Sequence, residues 1–197
     1  QPLPFTPFKD FTGRSINEIN LYSTEMSSAL CSIDRVSASA NMNNRLSEAI
    51  VEAYKSTNGT PISFELMLKC YQSRMKDANN DDSISSVLKQ LVNAHIFESE
   101  DKVSLIDDSY IIKMDGYPKD GPIAKAIVYF LMSKLNNIYE LLDKQAVNDE
   151  VVQIRHFSII DEAHYMLDFD NRPLRNLIAV GRNKGLSIIL ATQNMSS

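Results

Sequence analysis

From Ser15 onward apolar residues recur every three or four positions, as Ile16, Ile19, the pair Leu21 and Tyr22, Met26 and Leu30. That spacing predicts an amphipathic helix. Leu46, Ala49, Ile50 and Ala53 repeat it and predict a second helix over Val36 to Tyr54. Ser56 to Pro61, with Asn58-Gly59 inside, reads as a turn, and Ser63 is placed to cap a third helix carrying Leu66, Met67, Cys70 and Tyr71. Asp81-Asp82-Ser83 precedes Ile84, Val87, Leu88, Leu91 and Val92, a fourth helix with negative charge at its positive dipole end. Ahead of all this, Pro2, Pro4 and Pro7 alternate with Leu3, Phe5 and Phe8. Proline at that density blocks helix interiors and sheet centres, so residues 1–14 read as an extended connector.

Near residue 100 the pattern changes. Val103 to Ile106 and Tyr110 to Met114 read as short strands, the second ended by Asp115-Gly116 and Pro118. A long helix is predicted from Pro122 to Lys144, with Ile123, Ile127, Phe130, Leu131, Leu135, Ile138 and Leu142 along one side. A strand over Gln153 to Ile160, a helix over Pro173 to Lys184 and a strand over Leu186 to Ala191 follow. Alternation of strand and helix is the grammar of a parallel sheet with crossover helices. The expected fold class is therefore α/β in the carboxyl half, residues 99–197. The all-helical stretch, residues 15–98, is read as an insertion into that layer or an appendage on it, and as an insertion has a local core of Ile16, Ile19, Leu46, Ile50, Leu66, Cys70, Leu88 and Leu91.

Composition narrows the function classes. Among 197 residues, 20 Lys and Arg stand against 25 Asp and Glu, a formal net charge of −5. This balance excludes a basic nucleic-acid clamp built on the whole chain. With 44% hydrophobic and 23% charged residues the chain is neither disordered nor collagen-like. No apolar run approaches the roughly 18 residues of a membrane span, and Gln1 to Phe8 lacks the form of an export signal. Cys31 and Cys70 have no second pair, so zinc-ribbon and disulfide-scaffold readings fail. Reduced, buried thiols and a cytoplasmic location are expected.

The chain holds six glycines and neither a G-x-x-x-x-G-K-[ST] loop nor a G-x-G-x-x-G turn. A nucleotide site in it is therefore incomplete, and the sequence reads as a segment of a longer protein. The stretch richest in chemistry is Phe157-Ser158-Ile159-Ile160-Asp161-Glu162-Ala163-His164. An apolar strand ending in two acids puts carboxylates at the carboxyl edge of a parallel sheet, where open α/β sheets bind ligands. In nucleotide hydrolases the Asp holds Mg²⁺, directly or through water, and the Glu polarises the attacking water. The plainer alternative is an acidic pair that begins a loop. A second apolar strand, Leu186 to Leu190, leads to Thr192-Gln193, and an amide there can sense a γ-phosphate or cap a turn. Arg172, Arg175, Arg182 and Lys184 lie on or near the intervening helix, as a solvated face or as a source of one arginine for a neighbouring subunit.

Taken together, Ser158 to His164, Leu174-Arg175-Asn176-Leu177, Gly181-Arg182-Asn183-Lys184-Gly185-Leu186-Ser187 and Ile188 to Gln193 resemble HerA and FtsK-type P-loop ATPases. The resemblance covers about residues 108–195, and Leu3-Pro4-Phe5-Thr6-Pro7 also looks like a segment after an early core strand of that family. It implies a partial RecA-like sheet, with Asp161 and Glu162 as the Walker B pair, Gln193 as a sensor-like glutamine and Arg182 as a candidate trans-acting arginine. It further implies ATP and Mg²⁺ as cofactors of the complete protein, DNA as its partner, a ring homo-oligomer, and work in DNA restriction or processing, including phosphorothioation-dependent restriction. Conjugation and type IV secretion ATPases belong to the same superfamily. The helical stretch matches no motif of it.

Two other readings stay open. Asp161 to His164 spells the DEAH box of a superfamily 2 helicase, followed by an Ala-Thr strand end, although Gln193 fits the translocases better. On the translocase reading His164 starts a helix and packs near the site. His95 and His156 have no second ligand at metal spacing. The other reading is non-enzymatic: Met26, Met42, Met67 and Met75 on helices can form a docking surface for partner proteins, or simply a core.

Overall fold

The computed structural model describes residues 2–33, 38–77, 81–119, 121–148 and 151–192, and the chain divides into two compact units, residues 1–103 and 104–197.

The first unit is helical: α1 (Ile16–Ile33), α2 (Ala40–Ser56), α3 (Phe64–Gln72) and α4 (Ser83–Ala94), with each helix packed on the next. The starts follow their caps. Ser39 accepts from the Met42 N–H, Ser63 from the Leu66 N–H, and Asp82 forms a reciprocal capping box with Ser85. The second helix runs from Ala40, after its Ser39 cap, and Val36, the expected start, lies outside the described residues. Tyr71 Oη donates to Asp82 Oδ2 at 2.7 Å and Arg45 to the same oxygen at 3.2 Å, which ties α2 and α3 to the start of α4. Of the expected core, Ile19, Leu46, Ile50, Cys70, Leu88 and Leu91 are buried. Ile16 is exposed and Leu66 half-buried, because each sits on the outer side of its helix.

The proline-spaced amino segment does more than connect. Phe5, Phe8 and Phe11 are all buried, Phe5 against Phe97, Phe8 against Phe64, and Phe11 between Tyr22 and Tyr54. Leu3 pairs with Phe97 as a parallel bridge, and the Phe11 N–H donates to the Gly59 carbonyl at 2.7 Å. Gly59 has φ +87°, and a Cβ there would meet the Phe11 carbonyl oxygen at 2.7 Å, so this turn requires glycine.

From the end of the first unit into the second, the segments Val103 to Ile106 and Tyr110 to Met114 are turns and irregular chain, not strands. Strand propensity is realised only against a neighbour, and here Ser104 instead bonds Asp107 in a local turn. Next come α5 (Pro122–Leu141), the two-residue antiparallel pair β1 (Val147–Asn148) and β2 (Val151–Val152), and β3 (His156–Ile160). Then α6 (Ala163–Met166), α7 (Arg172–Val180), a 3₁₀ turn (Gly181–Lys184) and β4 (Leu186–Leu190) complete the unit. Residues 124–130 of α5 are buried without a break, so the helix is enclosed around its circumference rather than along one stripe.

β3 and β4 form a two-stranded parallel sheet, in register from His156 with Leu186 to Ile160 with Leu190. The α/β class expected for this half is thus present as one parallel pair with a helical crossover. Gly185 makes the entry to β4 possible: its φ is +83°, its carbonyl accepts from the Arg155 and His156 N–H groups, and a Cβ would meet the Gln153 carbonyl oxygen at 2.7 Å. One face of the sheet stays open, with Phe157 55% and Ile159 67% exposed.

Candidate functional site

Parallel register brings both strands to the same carboxyl edge. The Ala191 N–H donates to the Ile160 carbonyl and the Ala163 N–H to the Ala191 carbonyl, both at 2.9 Å, so the chain leaving β3 stays laced to the chain leaving β4. Asp161, Glu162, His164 and Thr192 gather at this edge.

Asp161 is exposed, and its Oδ1 accepts from the Glu162 N–H at 2.9 Å. Glu162 caps α6 with φ 52° and ψ 39°. A non-glycine residue in the left-handed region is uncommon and is held there by its surroundings, a kind of strain that concentrates at functional sites. The Glu162 side chain is 19% exposed, with Oε1 3.7 Å from Lys119 Nζ and Oε2 3.7 Å from His164 Nδ1. The same Nδ1 lies 2.8 Å from Thr192 Oγ1. His164 therefore packs near the acidic pair, as its place at a helix start suggests, and also bridges the two strand ends.

Behind the edge, Lys125 of α5 is enclosed to 2% exposure and pairs with Asp168 at 2.6 Å. Asp168 follows α6, so the pair fastens the segment after the acidic residues to α5. Neither Lys119 nor Lys125 belongs to any motif in the sequence.

The remaining cations lie elsewhere. Lys184 donates to the carbonyls of Tyr139 and Glu140 at 2.6 and 3.0 Å, serving the last turn of α5 where the helix dipole favours positive charge. Arg175 pairs with Asp170. Arg182 is exposed in the 3₁₀ turn, at the amino end of β4. A strand of five residues, about 16 Å at the usual rise, separates it from the acidic edge within one chain. It borders an open cleft of about 510 Å³ together with Val151, Ile154, Leu177 and Ile178. Gln193 lies outside the described residues.

Magnesium at nucleotide sites is held by one or two carboxylates plus phosphate oxygens and water. The exposed Asp161 carboxylate fits that role, and no cluster of three or more His, Cys, Asp or Glu suited to hold a metal by itself occurs among the described residues. Among the described residues, no helix is long and apolar enough to cross a membrane. Cys31 and Cys70 are free thiols; burial raises both, Cys31 to about 11 with the Asp82 charge adding to it, so neither is an activated nucleophile. No protein-family model matches the chain, and no curated protein matches it at a significant level.

Proposed function

We propose that this chain supplies the carboxylate side of the nucleotide site of a HerA/FtsK-type P-loop ATPase, an ATP-driven DNA translocase or helicase of DNA restriction or processing. The observation that carries this reading is the parallel register of β3 and β4, which sets Asp161-Glu162 and Ala191-Thr192 at one sheet edge. The open face of that sheet also favours it, because parallel sheets are stable when both faces are covered and more strands are present. In this reading the sheet is part of a larger RecA-like one, and the phosphate-binding loop and its lysine belong to sequence beyond these 197 residues.

Asp161 then holds Mg²⁺, directly or through water, and Glu162 orients and polarises the attacking water. When bound, Mg²⁺ would supply positive charge to offset that on the phosphate oxygens as the γ-phosphoryl group passes to water and ADP departs. In this reading Gln193 has the role of the sensor-like glutamine. Arg182, remote from Glu162 in its own chain, serves the neighbouring subunit of a ring. The chain by itself neither binds ATP tightly nor hydrolyses it. The helical unit, residues 1–103, couples the ATPase to DNA or to partner proteins.

One contact favours a second reading. His164 meets Thr192, joining the DEAH tetrapeptide to the Ala-Thr strand end on which the superfamily 2 helicase resemblance rests. Both readings make the complete protein a nucleic-acid-stimulated ATPase. Turnover measured with and without double-stranded DNA checks this: stimulation is expected, duplex unwinding without translocation favours the helicase, and no turnover with any nucleic acid overturns both.

A further inference from the structure

We propose that Asn58-Gly59 is a deamidation site held closed by the folded helical unit, and that its conversion to isoaspartate releases the amino segment from this turn. Asn-Gly occurs once in the chain, just past the end of α2. Asn58 takes the left-handed conformation with φ 54°, and Gly59 follows with φ +87°. The Gly59 N–H donates to the Tyr54 carbonyl at 2.9 Å and the Asn58 N–H to the Lys55 carbonyl at 3.3 Å, the paired bonds of a Schellman cap. The helix end thus favours asparagine or glycine at 58 and requires glycine at 59. In that same pair, attack of the backbone nitrogen on the preceding side chain is least hindered, because glycine puts no side chain in the way.

The reaction needs only water. The Gly59 nitrogen bonds to Asn58 Cγ and loses its proton, the bond from Cγ to the side-chain nitrogen breaks, and that nitrogen leaves as ammonia. Water then opens the cyclic imide at either carbonyl, giving aspartate or isoaspartate. In the folded chain Asn58 is exposed, but the attacking group is engaged: Gly59 is buried and its N–H is spent on Tyr54. Phe11 closes the turn from the other side, its N–H donating to the Gly59 carbonyl at 2.7 Å. Isoaspartate routes the main chain through the former side chain and so inserts a methylene between residues 58 and 59. A turn in which a Cβ on Gly59 would already meet the Phe11 carbonyl oxygen at 2.7 Å has no room for it, and the seat of Phe11 is lost. Aspartate keeps the backbone length, tolerates the left-handed conformation and leaves the seat intact.

The test keeps the 197-residue chain at mildly alkaline pH over a series of urea concentrations, following Asn58 by peptide mass spectrometry and the Gly59 amide by hydrogen exchange. Conversion is expected to be at least about tenfold slower in the folded chain than in the unfolded one, and to rise in parallel with Gly59 exchange as local opening increases. Equal rates in the two states, or conversion that stays slow after unfolding, overturn the closed site. The aspartate and isoaspartate forms are then separated and treated with trypsin, which can cut at the exposed Arg14. The isoaspartate form is expected to be cut there about tenfold faster than the parent with its helical circular dichroism retained, and the aspartate form at the parental rate. Equal cutting of all three forms, equally fast cutting of both products, or loss of the helical signal overturns the release.

Discussion

Ile160 and Leu190 are the last register partners of two parallel strands, and the residues that follow each are joined by backbone hydrogen bonds at 2.9 Å. Two segments far apart in sequence therefore leave the sheet at one edge. What each segment carries past that edge is the chemistry of the candidate site, and what lies behind it holds that chemistry in place.

The Lys125–Asp168 pair joins α5 to the segment after α6. A buried ammonium with its partner removed is costly, whereas an apolar side chain of similar length needs no partner. Asp168→Ala is expected to destabilise the protein by about 3 kcal/mol, and Lys125→Met by much less. Urea unfolding followed by circular dichroism measures both. Equal losses in the two variants would show that the pair itself is the stabilising feature.

The amino segment is core to the helical unit, because Phe5, Phe8 and Phe11 are buried among its aromatic rings. Residues 1–103 produced alone are expected to unfold cooperatively, and residues 15–98 to lose that cooperativity. Phe5→Ala within 1–103 should cost about 3–5 kcal/mol, the usual range for a fully buried phenylalanine. A cooperative transition of unchanged midpoint in the shorter piece would return the segment to the role of connector.

Burial holds the His156 imidazole below its ordinary value of 6.5. Above that pH the side chain is neutral in both folded and unfolded states and has no effect. As the pH falls below the unfolded value, the unfolded chain takes up a proton that the folded chain resists, so stability declines until the folded value is reached. Stability measured from pH 7 to pH 5 should fall less steeply in His156→Gln than in the parent. An identical slope would mean that His156 does not contribute.

How much of this was legible in the sequence depends on the range of the forces involved. Ser63 and Asp82 announced their helices because a cap acts on the next turn, and β3 and β4 were visible as apolar runs ended by polar pairs. Tyr110 to Met114 reads as a strand by composition but pairs with no strand among the described residues, which no local pattern reveals. The α-helix before β4 ends at Val180 and the chain continues as a 3₁₀ turn to Lys184, where Gly181 packs so closely on Leu186 that a Cβ would come within 2.9 Å of its side chain, a contact no local pattern reveals. Asp161 and Glu162 could be read as site candidates from their strand end. Lys119, Lys125 and the His164 to Thr192 link could not, since each depends on a contact between segments that carry no shared motif.

The distance between Arg182 and the acidic edge of its own chain sets up a test of assembly. In the full-length protein Arg182→Ala should reduce hydrolysis with ATP affinity nearly unchanged. Mixing it with Glu162→Gln should restore part of the activity, because some interfaces then pair an intact Glu162 with an intact Arg182. No recovery at any mixing ratio, with subunit exchange demonstrated, would assign Arg182 to its own chain or to the fold.

The most direct test of the account is the turnover of Glu162→Gln in the full-length protein, measured beside its ATP affinity. The amide keeps the size of the side chain but cannot polarise water, so kcat should fall about a hundredfold or more while ATP binding stays nearly unchanged. Hydrolysis at the parental rate in that variant would contradict the assignment of the β3 edge as the hydrolytic site.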